Sequence, residues 1–326
     1  GIELALDAVI VDTKDFGLNA NFNISYNRAK IDKLAGGQTW QSSNWGGKPA
    51  GQNDFFIEEG GRLGEVYGYE LDGFYTTDDF SWDGSKWILN ENLTDPTELI
   101  KYNNFGPGSL KLKADEDGKF TKKRLGNTVP TVTGGFGINM RYKNFDLSAF
   151  FNYSLGNKIV NATKLGSSYY NDTKKGWNLN DNFTLAKRYS WIDPSTGENM
   201  LKSSYIKSNG LDYTINRLNE INAGASMYNP GSITEMPLLD WAVEDGSFLR
   251  VNNISIGYTL PKVFVNKMFM QNVRIYVTGY NLYCFTKYSG ADPEVDTRRS
   301  TPMTPGVDYS AYPKSRSFVG GINVTF

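Results

Sequence analysis

The sequence predicts an all-β chain, and within that class a transmembrane antiparallel β-barrel with long extracellular loops. Three observations predict it. Several stretches alternate strictly between apolar and polar residues, the period of a strand whose two faces meet different surroundings. The connections between those stretches are alternately short and long, as in outer-membrane barrels, whose periplasmic turns are tight and whose outer loops are long. Finally, aromatic residues make up 14% of a chain whose mean hydropathy is only -0.46. A barrel strand offers lipid every second residue, so its average hydropathy stays low while aromatic girdles raise its Tyr, Phe and Trp content.

The seven strands are expected near residues 2–11, 16–28, 133–142, 145–156, 248–260, 273–285 and 317–326, with long outer loops near 29–132, 157–247 and 286–316. In the first, Ile2, Leu4, Leu6, Ala8 and Ile10 share a face. Asp12 to Asp15 makes a short turn. The second strand alternates most clearly: Phe16, Leu18, Ala20, Phe22, Ile24 and Tyr26 oppose Gly17, Asn19, Asn21, Asn23, Ser25 and Asn27. Amides repeated along one face would each need partners in a dry core, so they suit a wet lumen. Phe16, Leu18, Phe22 and Ile24 are then expected to face lipid.

The long stretch after Arg28 is too long for a structureless loop, which suggests a folded surface excursion. Within it, 67–75 alternates, and its sheet is left open. Phe136, Ile138, Met140 and Tyr142 resume the pattern, Lys143-Asn144 is a two-residue turn, and Phe145, Leu147 and Phe151 return on the lipid side. Pro261 ends the strand carrying Ile254, Ile256 and Tyr258, because proline has no donor for the ladder. Both faces of 273–285 are apolar, so its lipid face is left open. In the closing strand Phe318, Gly320, Ile322, Val324 and Phe326 share a face, with Ile322 and Val324 expected toward lipid. An aromatic last residue, Phe326, ends that strand as in the closing strand of an outer-membrane barrel, and is expected to be the terminal signal read by the barrel-assembly machinery.

A soluble β-sandwich also alternates along its strands, but it does not predict alternating short and long connections. The parity of those connections places Phe326 at the periplasmic end and residue 1 near the outer surface. Seven is too few and odd for a bacterial single-chain barrel, and an open sheet edge in lipid leaves unpaired backbone groups. Further strands are therefore expected from sequence beyond this chain. The chain starts inside a strand with no signal peptide, so a fragment or processed form is expected.

Composition narrows the chemistry. No run of about 18 apolar residues occurs, so no transmembrane helix is expected. Histidine is absent, which removes imidazole proton shuttles and His-ligated metals. The net charge of -1 gives no electrostatic case for nucleic acid. Cys284 lies on a strand and has no His partner, so it is read as a packing residue. Asp78-Asp79, Asp292-Asp296 and Glu58-Glu59 are read as solvated loop charges, since sequence neighbours do not establish the facing carboxyl groups of a glycosidase. Arg298-Arg299 is likewise a solvated pair. No catalytic residue and no cofactor are expected.

Several blocks resemble one family. They are GIELALDAVIVDTKDFGLNANFNISYNRAKI, EVYGYELDGFY and RLGNTVPTVTGGFGINMRYKNFDLSAFFNYSLGNKIVN, then VEDGSFLRVNNISIGYTLP, VRIYVTGYNLYCFTKYSGADPEV and GVDYSAYPKSRSFVGGINVTF. In order and spacing they resemble the carboxy-terminal third of SusC/RagA-type TonB-dependent outer-membrane transporters of the Bacteroidetes. The resemblance implies that residues 1–326 supply about the last seven strands of a 22-stranded barrel, with the amino-terminal plug and earlier strands absent. It implies TonB-dependent import of glycan oligomers or peptides, with a SusD-like surface lipoprotein as partner and TonB acting through the missing amino-terminal region. Trp177, Trp191 and Trp241 are then candidates for ligand or lipoprotein contact. Family members often carry an acidic D-x-N-G-D-G-like loop. Here it has become Asp115-Glu116-Asp117-Gly118, so Asp115 and Asp117 are only weak metal candidates, with too few oxygens for calcium.

Two other readings stand beside this one. A secreted all-β carbohydrate-binding protein or hydrolase would be soluble without detergent. A passive outer-membrane porin would need neither plug nor TonB contact.

Overall fold

The computed structural model describes residues 1–43, 45, 52–170, 178–294 and 302–326. Seven long strands form one sheet: β1 (Ile2–Asp12), β2 (Phe16–Tyr26), β3 (Val132–Tyr142), β4 (Phe145–Leu155), β5 (Phe248–Thr259), β6 (Asn272–Thr286) and β7 (Ser317–Thr325). They lie in chain order, each antiparallel to the next, and the sheet is open at β1 and β7.

Residues directly opposed in an antiparallel pair share a face. One row across six strands runs Phe16, Tyr142, Phe145, Tyr258, Ile275, Ile322. A second runs Leu18, Met140, Leu147, Ile256, Val277, Gly320. These rows face outward and are exposed or half-buried: Phe145 keeps 55% of its surface, Ile256 53% and Ile322 63%. A contiguous apolar surface of this size needs lipid to cover it. The opposite face carries Asn19, Asn139, Ser148, Ser255 and Thr278 in one row.

The wall departs from the expected pattern in three places. A register shift between Val9 and Val11 makes Val11, not Ile10, the partner of Leu18, because a bulge inserts one residue and reverses facing beyond it. The second strand ends at Tyr26 and does not run to residue 28. On β6, Val273, Ile275 and Val277 oppose Val324, Ile322 and Gly320 on the outer face, which places Tyr276 and Tyr280 inside. Asn281 then turns through the left-handed region at φ 51 and Tyr283 and Phe285 point outward again.

The excursions are folded. The first builds a four-stranded sheet from 38–41, 55–58, 65–68 and 123–127. The stretch 67–75 therefore does not join the wall: its first part lies in that sheet and Leu71–Phe74 pairs with Leu110–Leu112. The second excursion contributes helices α1 (Ala162–Gly166), α2 (Ser203–Asn209) and α3 (Leu211–Ile221). The third lays Val307–Asp308 parallel to Lys158–Asn161.

A wall that shows its apolar side to lipid and its polar side to water has no dry interior. The apolar core accordingly lies in the excursions. Phe55, Ile100 and Leu112 from the first, Leu165, Ile233 and Leu239 from the second, and Val307 from the third are buried in one cluster. A second cluster joins Tyr75 and Trp87 to Trp191, Met200 and Leu218. Each such side chain contributes about 1.5–3 kcal/mol by burial, which binds the three excursions into one roof at the long-loop end.

Candidate functional site

The site has two parts, the inner wall and the roof above its mouth. On the wall, glycines let polar side chains reach across strands. Arg274 on β6 passes over Gly257 on β5 to Asp146 on β4, with Nε–Oδ1 at 2.9 Å and Nη2–Oδ2 at 2.5 Å. A Cβ on Gly257 would lie 2.4 Å from Arg274 Nη2. Nearby, Arg141 donates to the carbonyls of Thr13 and Lys14 at 3.0 and 3.1 Å and closes the first periplasmic turn. Higher up, Asn21 lies beside Gly137, and the Asn23 side-chain oxygen accepts from the Gly135 N–H at 3.0 Å. The result is a lining of amide, hydroxyl and paired charge.

At the mouth Arg250 fastens the third excursion to the wall. Its Nη2 donates to Asp292 Oδ1 at 2.6 Å and its Nε to Glu294 Oε2 at 2.7 Å; Lys314 Nζ meets the same Glu294 oxygen at 2.6 Å. Arg250 and Asp292 are both buried. Asp292 is therefore no solvated loop charge, because its countercharge comes from a strand 42 residues away in sequence. The sequence signal was an Arg at an inward position of a strand, which needs an acidic partner. Beside this clamp a cavity of about 560 Å³ is lined by Thr128, Thr133, Asn152, Asn157, Glu294 and others. Among the described residues the Asn152 side-chain oxygen has no hydrogen-bond partner.

Within the roof, Glu244 joins the second and third excursions. Its Oε1 accepts from Lys164 Nζ at 3.0 Å and Ser289 Oγ at 2.7 Å, and its Oε2 from the Ser289 N–H at 2.7 Å. Burial alone would raise this carboxyl, but those donors win and hold it below the usual carboxylate range. Lys164 also sits 4.4 Å from the Trp241 ring centroid. It borders a polar cavity of about 300 Å³ lined with Asn161, Thr163, Ser167, Asn182 and Ser310. Further up, Asp193 accepts from Tyr205 Oη at 2.5 Å, Ser195 Oγ at 2.7 Å and Arg217 Nη2 at 3.3 Å. These donors, Tyr205 first, drive its pKa well down.

The remaining expected residues fall as follows. Trp191 is only 5% exposed and donates from Nε1 to the Pro107 carbonyl at 2.7 Å, so it is a core residue and presents no face to a ligand. Trp241 is half-buried beside Lys164. Trp177 lies outside the described residues, as do Asp296, Arg298 and Arg299. The Asp115 carboxylate accepts from the N–H groups of Asp117 and Lys119 at 3.1 and 2.8 Å. It is spent on its own turn, and Asp115 and Asp117 meet no third ligating side chain among the described residues. Asp79 accepts from the Thr76 N–H at 2.7 Å, and Glu59 from that of Leu34 at 2.8 Å.

A meander with one continuous apolar face, one polar face, tight turns at one end and a folded roof at the other is the wall of an outer-membrane β-barrel. Its place is the outer membrane of a Gram-negative cell, which it crosses strand by strand. By sequence the chain is similar to TonB-dependent receptors, SusC among them. It is 30% identical over 338 residues to TonB-dependent receptor P3 of Formosa agariphila, covering all of this chain and 28% of that receptor. It is 24% identical over 337 residues to TonB-dependent receptor SusC of Bacteroides thetaiotaomicron, covering 26% of it. The fold matches the RagAB peptide importer in its closed-closed state with a TM-score of 0.59 at 21% identity, over 99% of this chain and 29% of that one. No protein-family model matches. The chain thus spans less than a third of the relatives it matches.

Proposed function

We propose that the protein to which this wall belongs imports glycan oligomers or peptides across the outer membrane, driven through TonB. A SusD-like surface lipoprotein acts as its partner at the roof. The observation that carries the reading is the match of the whole chain, end to end, with TonB-dependent receptors. The inner wall supports it: rows of amide and hydroxyl groups with internally paired charges suit a polar oligomer that exchanges hydrogen bonds as it passes. The free edges of β1 and β7 are unpaired backbone in lipid, costly at several kcal/mol per group. The earlier strands of a 22-stranded wall close them, and the plug lies within. The work is transport and not catalysis.

The test is uptake by cells producing the full-length protein, given labelled oligosaccharides and labelled peptides in turn. Uptake of one class, lost on deleting TonB and reduced on deleting the adjacent lipoprotein, is expected. Uptake that persists without TonB would make the protein a passive porin.

A further inference from the structure

The outer face of the wall carries a groove at its long-loop end. It has a volume of about 710 Å³ and is lined by Phe136, Tyr153, Leu155, Leu249, Tyr283 and Phe285. The register puts these side chains on the lipid side: Tyr153 opposes Leu249, Leu249 opposes Phe285, and Val251 opposes Tyr283. The groove has local causes. Register shifts in β5 and β6 fall beside it, and bulges bend strands. Tyr153 lies down over Gly134, where a Cβ would come 2.6 Å from its ring, and donates from Oη to the Asn23 carbonyl at 3.0 Å. Its ring is held against the wall and does not fill the groove.

The rim is polar. Asp245, Ser247 and Lys287 follow directly beyond the strand ends. Asp245 is engaged by the Ser247 N–H at 3.0 Å. Lys287 is exposed, and its charge acts across the rim on the Asp245 carboxylate without a direct ion pair among the described residues. An apolar trough continuous with the lipid-facing band, ending under an exposed ammonium at the outer surface, matches a molecule with a hydrocarbon tail and an anionic head. Lysine serves phosphate as a point charge, and the trough's size is that of a small-molecule site. It lies on the opposite side of the wall from the lumen, so a transported substrate does not pass it.

We propose that this groove holds an acyl chain of a phosphorylated outer-leaflet lipid, with the lipid phosphate against Lys287. The inference rests on the wall's orientation in the membrane and is independent of what the barrel imports.

The experiment uses the full-length receptor extracted from outer membranes in mild detergent. Retained phosphorylated lipid is measured by mass spectrometry and by phosphorus content. Leu249→Trp fills the groove, Lys287→Glu repels the head group, and Ile256→Trp adds bulk to the same face outside the groove. Retention is expected to fall about tenfold in L249W and K287E and to stay at the wild-type level in I256W. Equal retention in all four proteins, or equal loss in all three variants, would overturn the proposal. If L249W does not assemble, the wild-type receptor is placed in nanodiscs containing a phospholipid with a photoactivatable acyl chain. Crosslinks concentrated on peptides bearing Tyr153, Leu249 and Tyr283 support the site, and crosslinks spread evenly over the outer face sink it.

Discussion

Arg274 and Asp146 form a forked ion pair across an intervening strand, 2.9 and 2.5 Å apart at their paired atoms, through the space left by Gly257. The arrangement extends sideways. The Arg274 guanidinium lies 5.1 Å from the Tyr276 ring centroid, and that ring in turn covers Gly321 on β7. Four strands are thus tied on the inner face by side chains as well as by the backbone ladder. An aromatic ring laid over a strand glycine also shields backbone that would otherwise lack cover.

Gly257→Val should therefore weaken the wall. Its side chain would overlap both Arg274 and Asp146, and overpacking of this kind costs about 1–3 kcal/mol. The check is the urea midpoint of the detergent-folded full-length barrel, read by heat-modifiable migration. Gly320→Val is the control: a Cβ there meets only the Tyr276 carbonyl oxygen, at 3.9 Å. It should shift the midpoint much less.

The Arg250 clamp predicts a different defect. In Arg250→Met the buried Asp292 carboxylate loses its countercharge, a loss of about 3–5 kcal/mol for a broken buried pair. The energy is local to the third excursion, so the barrel should still assemble while trypsin cuts near Lys314 and Arg316 much faster. Adding Asp292→Leu and Glu294→Gln to Arg250→Met should recover much of the resistance, because no buried unpaired charge then remains and Lys314, released from Glu294, is exposed to water. Unchanged cleavage in the single variant would show that Arg250 does not hold the loop.

These two features mark what a sequence displays and what it conceals. The wall was legible because Phe16 to Tyr26 and Ser317 to Phe326 alternate without interruption, and tight turns fix their neighbours. Ile10 was misplaced because a bulge carries no signature in an all-apolar run. The stretch 273–285 was ambiguous because Tyr276 and Tyr280 look as apolar as Ile275 and Val277, and only pairing with β7 tells them apart. The roof was illegible for another reason. Its strands are two to five residues long, and its core joins Phe55, Leu165 and Val307 across most of the chain. Asp292 and Trp191 look like surface residues until Arg250 and Pro107 are brought to them.

Glu244 gives the roof a pH dependence of known sign. Its carboxyl is held below its ordinary value of 4.5 by the Ser289 and Lys164 donors that outweigh burial. A depressed folded-state pKa contributes stability that is present above the unfolded value and is lost as pH falls through the folded one. The Ser289 amide should lose protection from hydrogen exchange, corrected for intrinsic rate, as pH is lowered from 4.5 downward. Glu244→Gln should be less protected at neutral pH and should lack this contribution in the acid range. An unchanged pH profile in the variant would exclude Glu244 as the titrating group.

Trp191 predicts a stability effect without a specific binding effect. Trp191→Ala removes a buried ring and its hydrogen bond to Pro107, at a cost of about 3–5 kcal/mol. The roof should unfold at lower denaturant. Trp241→Ala should cost less, since its ring is half-buried and its Nε1 has no hydrogen-bond partner among the described residues. Limited proteolysis of the second excursion ranks the two, and a larger effect in the Trp241 variant would reverse the assignment.

Phe326 separates a signal from a structural contact. It is 78% exposed, on the outer face with Phe318, Ile322 and Val324, and follows the last ladder residue Thr325. The end of the strand is closed instead by the Gln271 N–H donating to the Thr325 carbonyl at 2.7 Å. Phe326 lies beyond the last ladder pair and on the outer face, so its loss should barely alter the described wall. If it is read by the assembly machinery, deleting it should instead lower the amount of heat-modifiable protein in the outer membrane by about tenfold or more, on the order of 1.4 kcal/mol in the sorting step. The same variant refolded in detergent should keep the wild-type urea midpoint. A lowered midpoint together with normal membrane levels would assign Phe326 to packing, and the assembly role would pass to another part of the chain.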